Sequence, residues 1–271
     1  MLNRHPEGAM STIAIVRAVS PEISKCEITH LVRQPVDVQV ATNQHAEYER
    51  VLASCGCRIL RAPATPELAD GVFVEDTALV LDEVAVMMRP GARSRRPEIA
   101  SIEELLSEYR PLRRIEAPGT LDGGDILRIG RRVFVGRTSR SNRSGIAQLI
   151  AAVEPFGYAV EEVPVDGCLH LKSAVTALDD DSVIANPDWV DVRRFDVGRR
   201  IEVHPAEPSA ANVIALGGRI IHGAEHAHTR RRIEKLGFEV VPVPISELAK
   251  AEAAVTCCSL IFEAEPPRHS D

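Results

Sequence analysis

No stretch of the 271-residue sequence approaches the roughly 20 consecutive apolar residues that a bilayer-crossing helix needs, which excludes a membrane-spanning helical chain. The opening MLNRHPEGAM lacks the apolar centre of a signal peptide. It reads as a frayed leader over residues 1–10 with Met10 as the natural start, and residues 265–271 read as a frayed tail. The six cysteines, at 26, 55, 57, 168, 257 and 258, lack C-x-x-C spacing, so neither a structural zinc site nor a disulfide framework is indicated, and a cytoplasmic location is expected. Positive charge is also short. With 32 Lys+Arg against 39 Asp+Glu the net charge is −7, the wrong sign for a sequence-independent grip on phosphates, so nucleic acid is not an expected partner; a mildly acidic solvated surface accounts for the balance, and a cationic small molecule suits it better than an anionic one. What remains, 45% hydrophobic and 26% charged residues, is the composition of an ordinary globular protein.

Two apolar β-type runs separated by a short turn recur along the chain: LVLDEVAVMM from Leu79, ILRIGRRVFVG from Ile126, AVTALDDDSVIA from Ala174 and NVIALGGRIIHG from Asn212. Each predicts a hairpin. Gly217-Gly218 is the clearest turn, because a two-residue hairpin turn favours positive φ, which glycine adopts at low steric cost. Helical patterns follow. Ile146, Leu149, Ile150 and Val153 recur at i, i+3, i+4 and i+7, one apolar stripe on one helix face. Ile99, Ile102, Leu105 and Leu106 do much the same, with Ser101 and Glu104 spaced as a capping box. RRIEAP, AVEEVPV and EVVPVPI then close three of the units as further strands.

The hairpin starts at 79, 126, 174 and 212 are separated by 47, 48 and 38 residues, and 43 more reach VTCCSLIF at Val255. This is the period range of solenoids and propellers. IAIVRAV near the start, a helical pattern around QHAEYERVL and the strand CRILRAP supply the half unit that VTCCSLIF lacks. Pairing the first strand with the last would close a ring and leave no open sheet edge. The expected architecture is therefore α/β: one domain over residues 11–264, a five-bladed β/α propeller of pseudo-fivefold ββαβ repeats around a central channel. A doubly wound α/β sheet is the alternative, and the hairpins inside the units argue against its parallel connections.

The reactive residues fall at matching places in these repeats. Glu75 and Asp76 lie just before the hairpin at 79, Asp122 and Asp125 before the one at 126, His170 before the one at 174, and Cys257 and Cys258 near the start of the last run. Pseudo-symmetry aims them at one mouth of the channel. A thiol, an imidazole and several carboxylates gathered there make a Cys/His nucleophilic site, and the surplus carboxylates suit a cationic substrate. Taken singly, each residue has a structural reading: His170 as a hydrogen-bonded core histidine, a cysteine in a β run as packing, the Gly-Gly of LDGGD as a turn.

DGVFVEDTA (70–78), RPGARSRR (89–96), TLDGGDIL (120–127), VGRTSRSN (135–142), LHLKSAVTAL (169–178) and VTCCSL (255–260) resemble, in this order, segments of the dimethylarginine dimethylaminohydrolases, or dimethylargininases. The likeness runs from Ile13 to Phe262. These enzymes belong to the guanidine-modifying pentein superfamily, whose fold is a five-bladed β/α propeller. The resemblance implies Cys257 as nucleophile, His170 as general acid/base and Asp122 as its carboxylate partner. It also implies Asp76, Glu75 and Asp70 as the carboxylates that bind the guanidinium or line its pocket, with Arg95 and Arg140 holding the α-carboxylate. Cys258 has no implied role. RSN stands where relatives often read RTN, and the loop SPEISKCEITHLVRQ, expected to bear on substrate choice, differs from theirs.

The implied reaction is hydrolysis of Nω-methylated arginine to citrulline and a methylamine on a small guanidino substrate, without cofactor or metal. A deiminase of unsubstituted arginine and a non-catalytic pentein acting as a binding platform are the competing readings, and a homodimer is left open. His222, His226 and His228, with Glu225 among them, fit no familiar metal-ligand spacing and read as a solvated helix start. Cys55 and Cys57 read as a helix end and a strand start.

Overall fold

The computed structural model describes residues 10–265; the greater part of the expected leader and tail lies outside the described residues. β1 (Ser11–Val16) runs parallel to β2 (Arg58–Arg61), across the helix α1 (Val38–Ser54). The next three-stranded sheet pairs β3 (Ala78–Val80) antiparallel with β4 (Ala85–Met87), and after α2 (Ile99–Ser107) adds β5 (Leu112–Arg114) parallel to β4. The same plan repeats with β6 (Ile126–Ile129), β7 (Arg132–Arg137), α3 (Arg143–Val153) and β8 (Ala159–Pro164). The one-turn helix α4 (Leu171–Ala174) leads into β9 (Val175–Asp179), β10 (Ser182–Ala185) and β11 (Arg199–Glu202), where a short 3-10 turn replaces the crossover helix. Next come β12 (Val213–Leu216), β13 (Arg219–Gly223), α5 (Ala227–Glu234) and β14 (Glu239–Val243). After the single turn α6 (Ser246–Ala249), β15 (Leu260–Ala264) pairs antiparallel with β1, Ile13 opposite Phe262, and completes the first sheet.

Period-two alternation explains why the middle strands carry near-continuous apolar runs. Ile13 and Ile15 of β1 point into a core shared with β3, β4 and α2, while Ala14 and Val16 point into one shared with α1, β12 and β13. Val183 and Ala185 of β10 face the sheet before it and Ile184 the sheet after. Every middle strand is buried on both faces. The five apolar cores of the described residues therefore each lie between two successive sheets, and the last joins the fifth sheet to the first. Each fully buried Ile, Leu or Val contributes about 1.5–3 kcal/mol.

The first strands β3, β6, β9, β12 and β15 jointly line one cavity of about 390 Å³. Two local expectations need correction. Ser101 sits inside α2, not at its cap, and its hydroxyl accepts from Nη2 of the buried Arg17 at 2.8 Å. Ile150 is exposed, and the buried stripe of α3 is Ile146, Leu149 and Val153. Cys55 caps α1 and Cys57 precedes β2, as their spacing suggested.

Candidate active site

In four of the five units a short helical turn immediately precedes the first strand: Val74–Thr77, Gly123–Asp125, Leu171–Ala174 and Val255–Cys258. The repeat therefore delivers Glu75, Asp76, Asp122, Asp125, His170 and Cys257 from distant parts of the chain to one end of the channel. His170 Nε2 lies 3.1 Å from Asp122 Oδ2, and its Nδ1 is 3.9 Å from Asp76 Oδ1. Asp122 is fully buried, and its Oδ1 accepts the Gly91 N–H at 2.8 Å. Burial alone would strip the proton from His170. The surrounding negative charges of Asp76, Asp122 and Asp125 outweigh it and raise the imidazole to about 9.

LDGGD is more than a turn. A Cβ on Gly124 would lie 2.6 Å from His170 Nδ1 and 2.8 Å from Asp76 Oδ1, and one on Gly123 would strike the Glu75 carbonyl. Only glycine permits this close approach. Asp125, which the family pattern left without a role, is fully buried and accepts from Thr138 Oγ1, Ser141 Oγ and the Leu171 N–H at 2.6, 2.5 and 3.0 Å. It fixes the backbone next to His170, and burial pushes its carboxyl up to about 6 against the pull of His170 and its hydroxyl donors. The sequence signal for it was its place, three residues after Asp122.

Cys257 is partly exposed to a small cavity that it shares with Asp70, Arg95, Arg140, His170 and Glu252. Burial, then the charges of Glu75 and Asp76, push its thiol far above the ordinary range, so the resting pair is a thiol beside an imidazolium. Glu75 turns away from that cavity. It is gripped by Lys172 Nζ at 2.5 Å and by Thr256 Oγ1 at 2.7 Å and lines the central channel. Asp70 accepts the Glu27 N–H at 3.1–3.2 Å, tying the 20–34 loop to the cavity.

The two arginines differ. Arg95 is nearly used up: Nε and Nη2 donate to the Glu98 carboxylate at 3.1 and 2.9 Å, Nη2 also to Phe73 O, and Nη1 to Asp76 Oδ2 at 2.5 Å. One Nη1 hydrogen remains for a ligand. Burial opposes ionisation of Asp76, but His170 and Arg95 overcome it and hold this carboxyl well below its usual range. Arg140 makes fewer contacts, donating from Nη2 to Thr29 Oγ1 at 3.0 Å, with Nη1 3.9 Å from Asp122.

Sequence comparison decides the family. A dimethylarginine dimethylaminohydrolase of Streptomyces coelicolor is 42% identical over 91% of this chain and 95% of its own. The chain belongs to the dimethylarginine dimethylaminohydrolase family. A second member, from Pseudomonas aeruginosa, is 37% identical over 83% of this chain and 90% of its own. The solved structure of a cysteine-to-serine mutant of that Pseudomonas enzyme with citrulline superposes with a TM-score of 0.86 at 33% identity, covering 94% of this chain and all of the other. No protein-family model matches the chain.

Within this family frame, Asp76, Asp122 and His170 bring ligand-type atoms within 4.8 Å of one another, the one such cluster among the described residues. The proton on His170 and the Arg95 pairing of Asp76 make it an ion-pair network rather than an open ligand set. Of the histidines expected at a solvated helix start, His226 caps α5 and His228 is exposed in its first turn, whereas His222 is not there. His222 is fully buried in β13, its Nε2 3.0 Å from Ala210 O, and His228 stacks on His204. His222 faces inward because strand alternation, not helix exposure, governs that position. No helix among the described residues is long and apolar enough to cross a membrane.

Proposed function

We propose that this chain hydrolyses Nω-methylated L-arginine to L-citrulline and a methylamine, and that residues 11–264 form one catalytic five-bladed β/α propeller. The observation that carries the reading is the charge layout of the small cavity. Cys257 and His170 line it together with the Asp70 and Glu252 carboxylates and the Arg140 guanidinium, and Asp76 adjoins it through His170, 3.9 Å from Nδ1. That layout suits a molecule with a distal cation and a carboxylate. Six free cysteines fit a reducing, cytoplasmic site of action.

The substrate guanidinium, placed in the cavity near Asp70 and Asp76, would offset the negative charge that keeps the Cys257 thiol protonated, so that binding releases the thiol proton to solvent. The thiolate then forms a C–S bond to the guanidinium carbon. His170 donates its proton to the departing nitrogen as the C–N bond breaks, which leaves a thiouronium on Cys257 and a neutral methylamine. Neutral His170 next takes a proton from water, the resulting hydroxide adds to the same carbon, and the C–S bond breaks with its electron pair on sulfur, which takes up the hydroxyl proton to give citrulline and restore the Cys257 thiol. Asp122 holds the imidazole in place throughout and stabilises its charged form. Parallel assay of citrulline formation from dimethylarginine, monomethylarginine and arginine tests the proposal. Preference for a methylated substrate supports it, and exclusive turnover of arginine overturns it.

Arg140→Ala is expected to raise KM roughly 10- to 100-fold, the equivalent of about 2 kcal/mol of lost charge-assisted hydrogen bonding, with kcat little changed; steady-state kinetics checks it. A pH dependence follows from His170, whose pKa rises from 6.5 to about 9 on folding. A basic group raised in the folded state stabilises fully below its unfolded pKa, and the contribution is lost as pH climbs through the folded one. Wild-type thermal stability should therefore fall between pH 6.5 and 9 more steeply than that of His170→Gln. In the same range kcat/KM should show an alkaline limb near pH 9, because first-step catalysis needs the protonated imidazole. Melting curves and a pH–rate profile read both.

A further inference from the structure

Four units place charged or nucleophilic groups at the turn before the first strand; the fifth places Asn212 there. Its side chain is buried and every hydrogen-bonding atom is engaged. Nδ2 donates to Lys172 O at 3.0 Å and to Thr256 Oγ1 at 2.9 Å, and Oδ1 accepts the Thr256 N–H at 3.0 Å. Thr256 adjoins Cys257, and Lys172 lies two residues beyond His170 in the turn that His170 caps. Thr256 Oγ1, having accepted from Asn212, donates to Glu75 Oε2 at 2.7 Å. The amide thus spans the backbone turns that carry the two reacting side chains and sets the proton direction along Asn212–Thr256–Glu75.

We infer that Asn212 is a positioning residue of the reaction, the bridge that sets the placement of the Cys257 turn against the His170 turn. The inference rests on the reading of Cys257 and His170 as the reacting pair. The chemistry requires an amide here: the position must donate twice and accept once, which a carboxylate or a hydroxyl cannot do. It also explains why this unit contributes an amide where the others contribute acids, an imidazole or a thiol. Asn212 touches no atom of the cavity shared by Cys257, His170, Asp70, Arg95 and Arg140. Its loss should leave substrate binding intact and disturb the step that needs sulfur and imidazole in register. Displacing reacting groups by about 1 Å costs on the order of 100-fold in rate.

The test uses the full-length protein, with rates expressed per folded enzyme and melting temperatures measured alongside. Asn212→Ala is expected to lower kcat about 100-fold with KM for dimethylarginine within about 3-fold of wild type. If Asn212→Ala fails to fold, Asn212→Asp carries the test: it retains the acceptor for the Thr256 N–H, gives up the two donations and sets a carboxylate oxygen against the Lys172 carbonyl. Thr256→Ser, which keeps the hydroxyl link, should stay within about 3-fold of wild-type kcat, whereas Thr256→Val should lose at least about 10-fold. A merely structural role would lower the melting temperature and leave kcat per folded molecule unchanged, and that outcome overturns the inference. So does a raised KM with unchanged kcat, or Thr256→Val behaving like Thr256→Ser. Cys257→Ala separates the two levels. If it turns substrate over, the reading of the site fails; if it is inactive while folded Asn212 variants run at the wild-type rate, only the bridge fails.

Discussion

Cys257→Ala should reduce citrulline formation by on the order of 10⁴-fold or more, since removal of a covalent nucleophile eliminates the first bond-forming step. Cys257→Ser should be as inactive, because a hydroxyl in a site that already pushes a thiol far up has still less tendency to ionise. Cys258→Ser is the contrasting variant. Cys258 is buried in the apolar core beneath α1, on the far side of its turn from the cavity, so turnover should persist. Mass spectrometry of acid-quenched reactions should place the adduct on the peptide at Cys257, and His170→Ala should slow both its formation and its breakdown. An adduct on Cys258, or wild-type turnover by Cys257→Ala, would rule the mechanism out.

Arg95→Ala is expected to cost about 3–5 kcal/mol of folding stability, the range for breaking a buried ion pair by removing one partner. Its loss strands two buried carboxylates, Glu98 and Asp76, and frees the Phe73 carbonyl. Arg95→Lys should rescue little, since a single ammonium cannot meet Glu98, Asp76 and the carbonyl with one planar fork. Denaturant unfolding measures the effect. A change below about 1 kcal/mol for Arg95→Ala, the level of a surface pair, would show that this arginine serves the ligand alone. KM should rise as well, because Asp76 would lose the partner that keeps it ionised and in place.

Much of the architecture was legible because each middle strand separates two apolar cores, which writes an unbroken hydrophobic run into the chain at every repeat. The split unit was legible for the same reason: IAIVRAV needs a partner on its open edge, and β15 is that partner. The gathering of Asp76, Asp122 and His170 followed from their similar offsets, three or four residues before the hairpins. Three-dimensional pairing was not legible. Nothing in SRRPE says that Arg95 reaches Asp76 as well as Glu98, and nothing in LDGGD says which ring lies against Gly124. Ser101 had capping-box spacing, but the buried Arg17 needed its hydroxyl more than the helix start did. Asn212 opens a repeat in the sequence, yet its use of all three hydrogen bonds depends on turns 40 and 44 residues away.

The antiparallel pairing of β15 with β1, Ser11 opposite Ala264, also fixes an order of events. Cys257 sits in the turn that leads directly into β15. The carboxylates, His170 and both arginines all lie on earlier segments of the chain, so Cys257, the proposed nucleophile, leaves the ribosome after them, just ahead of the strand that seals the circle. Until that zipper forms, the apolar faces of β1 that meet β15 stay uncovered. On the proposed mechanism, docking of β15 would therefore both bring the Cys257 turn to the site and cover apolar surface of the kind that drives aggregation when left bare.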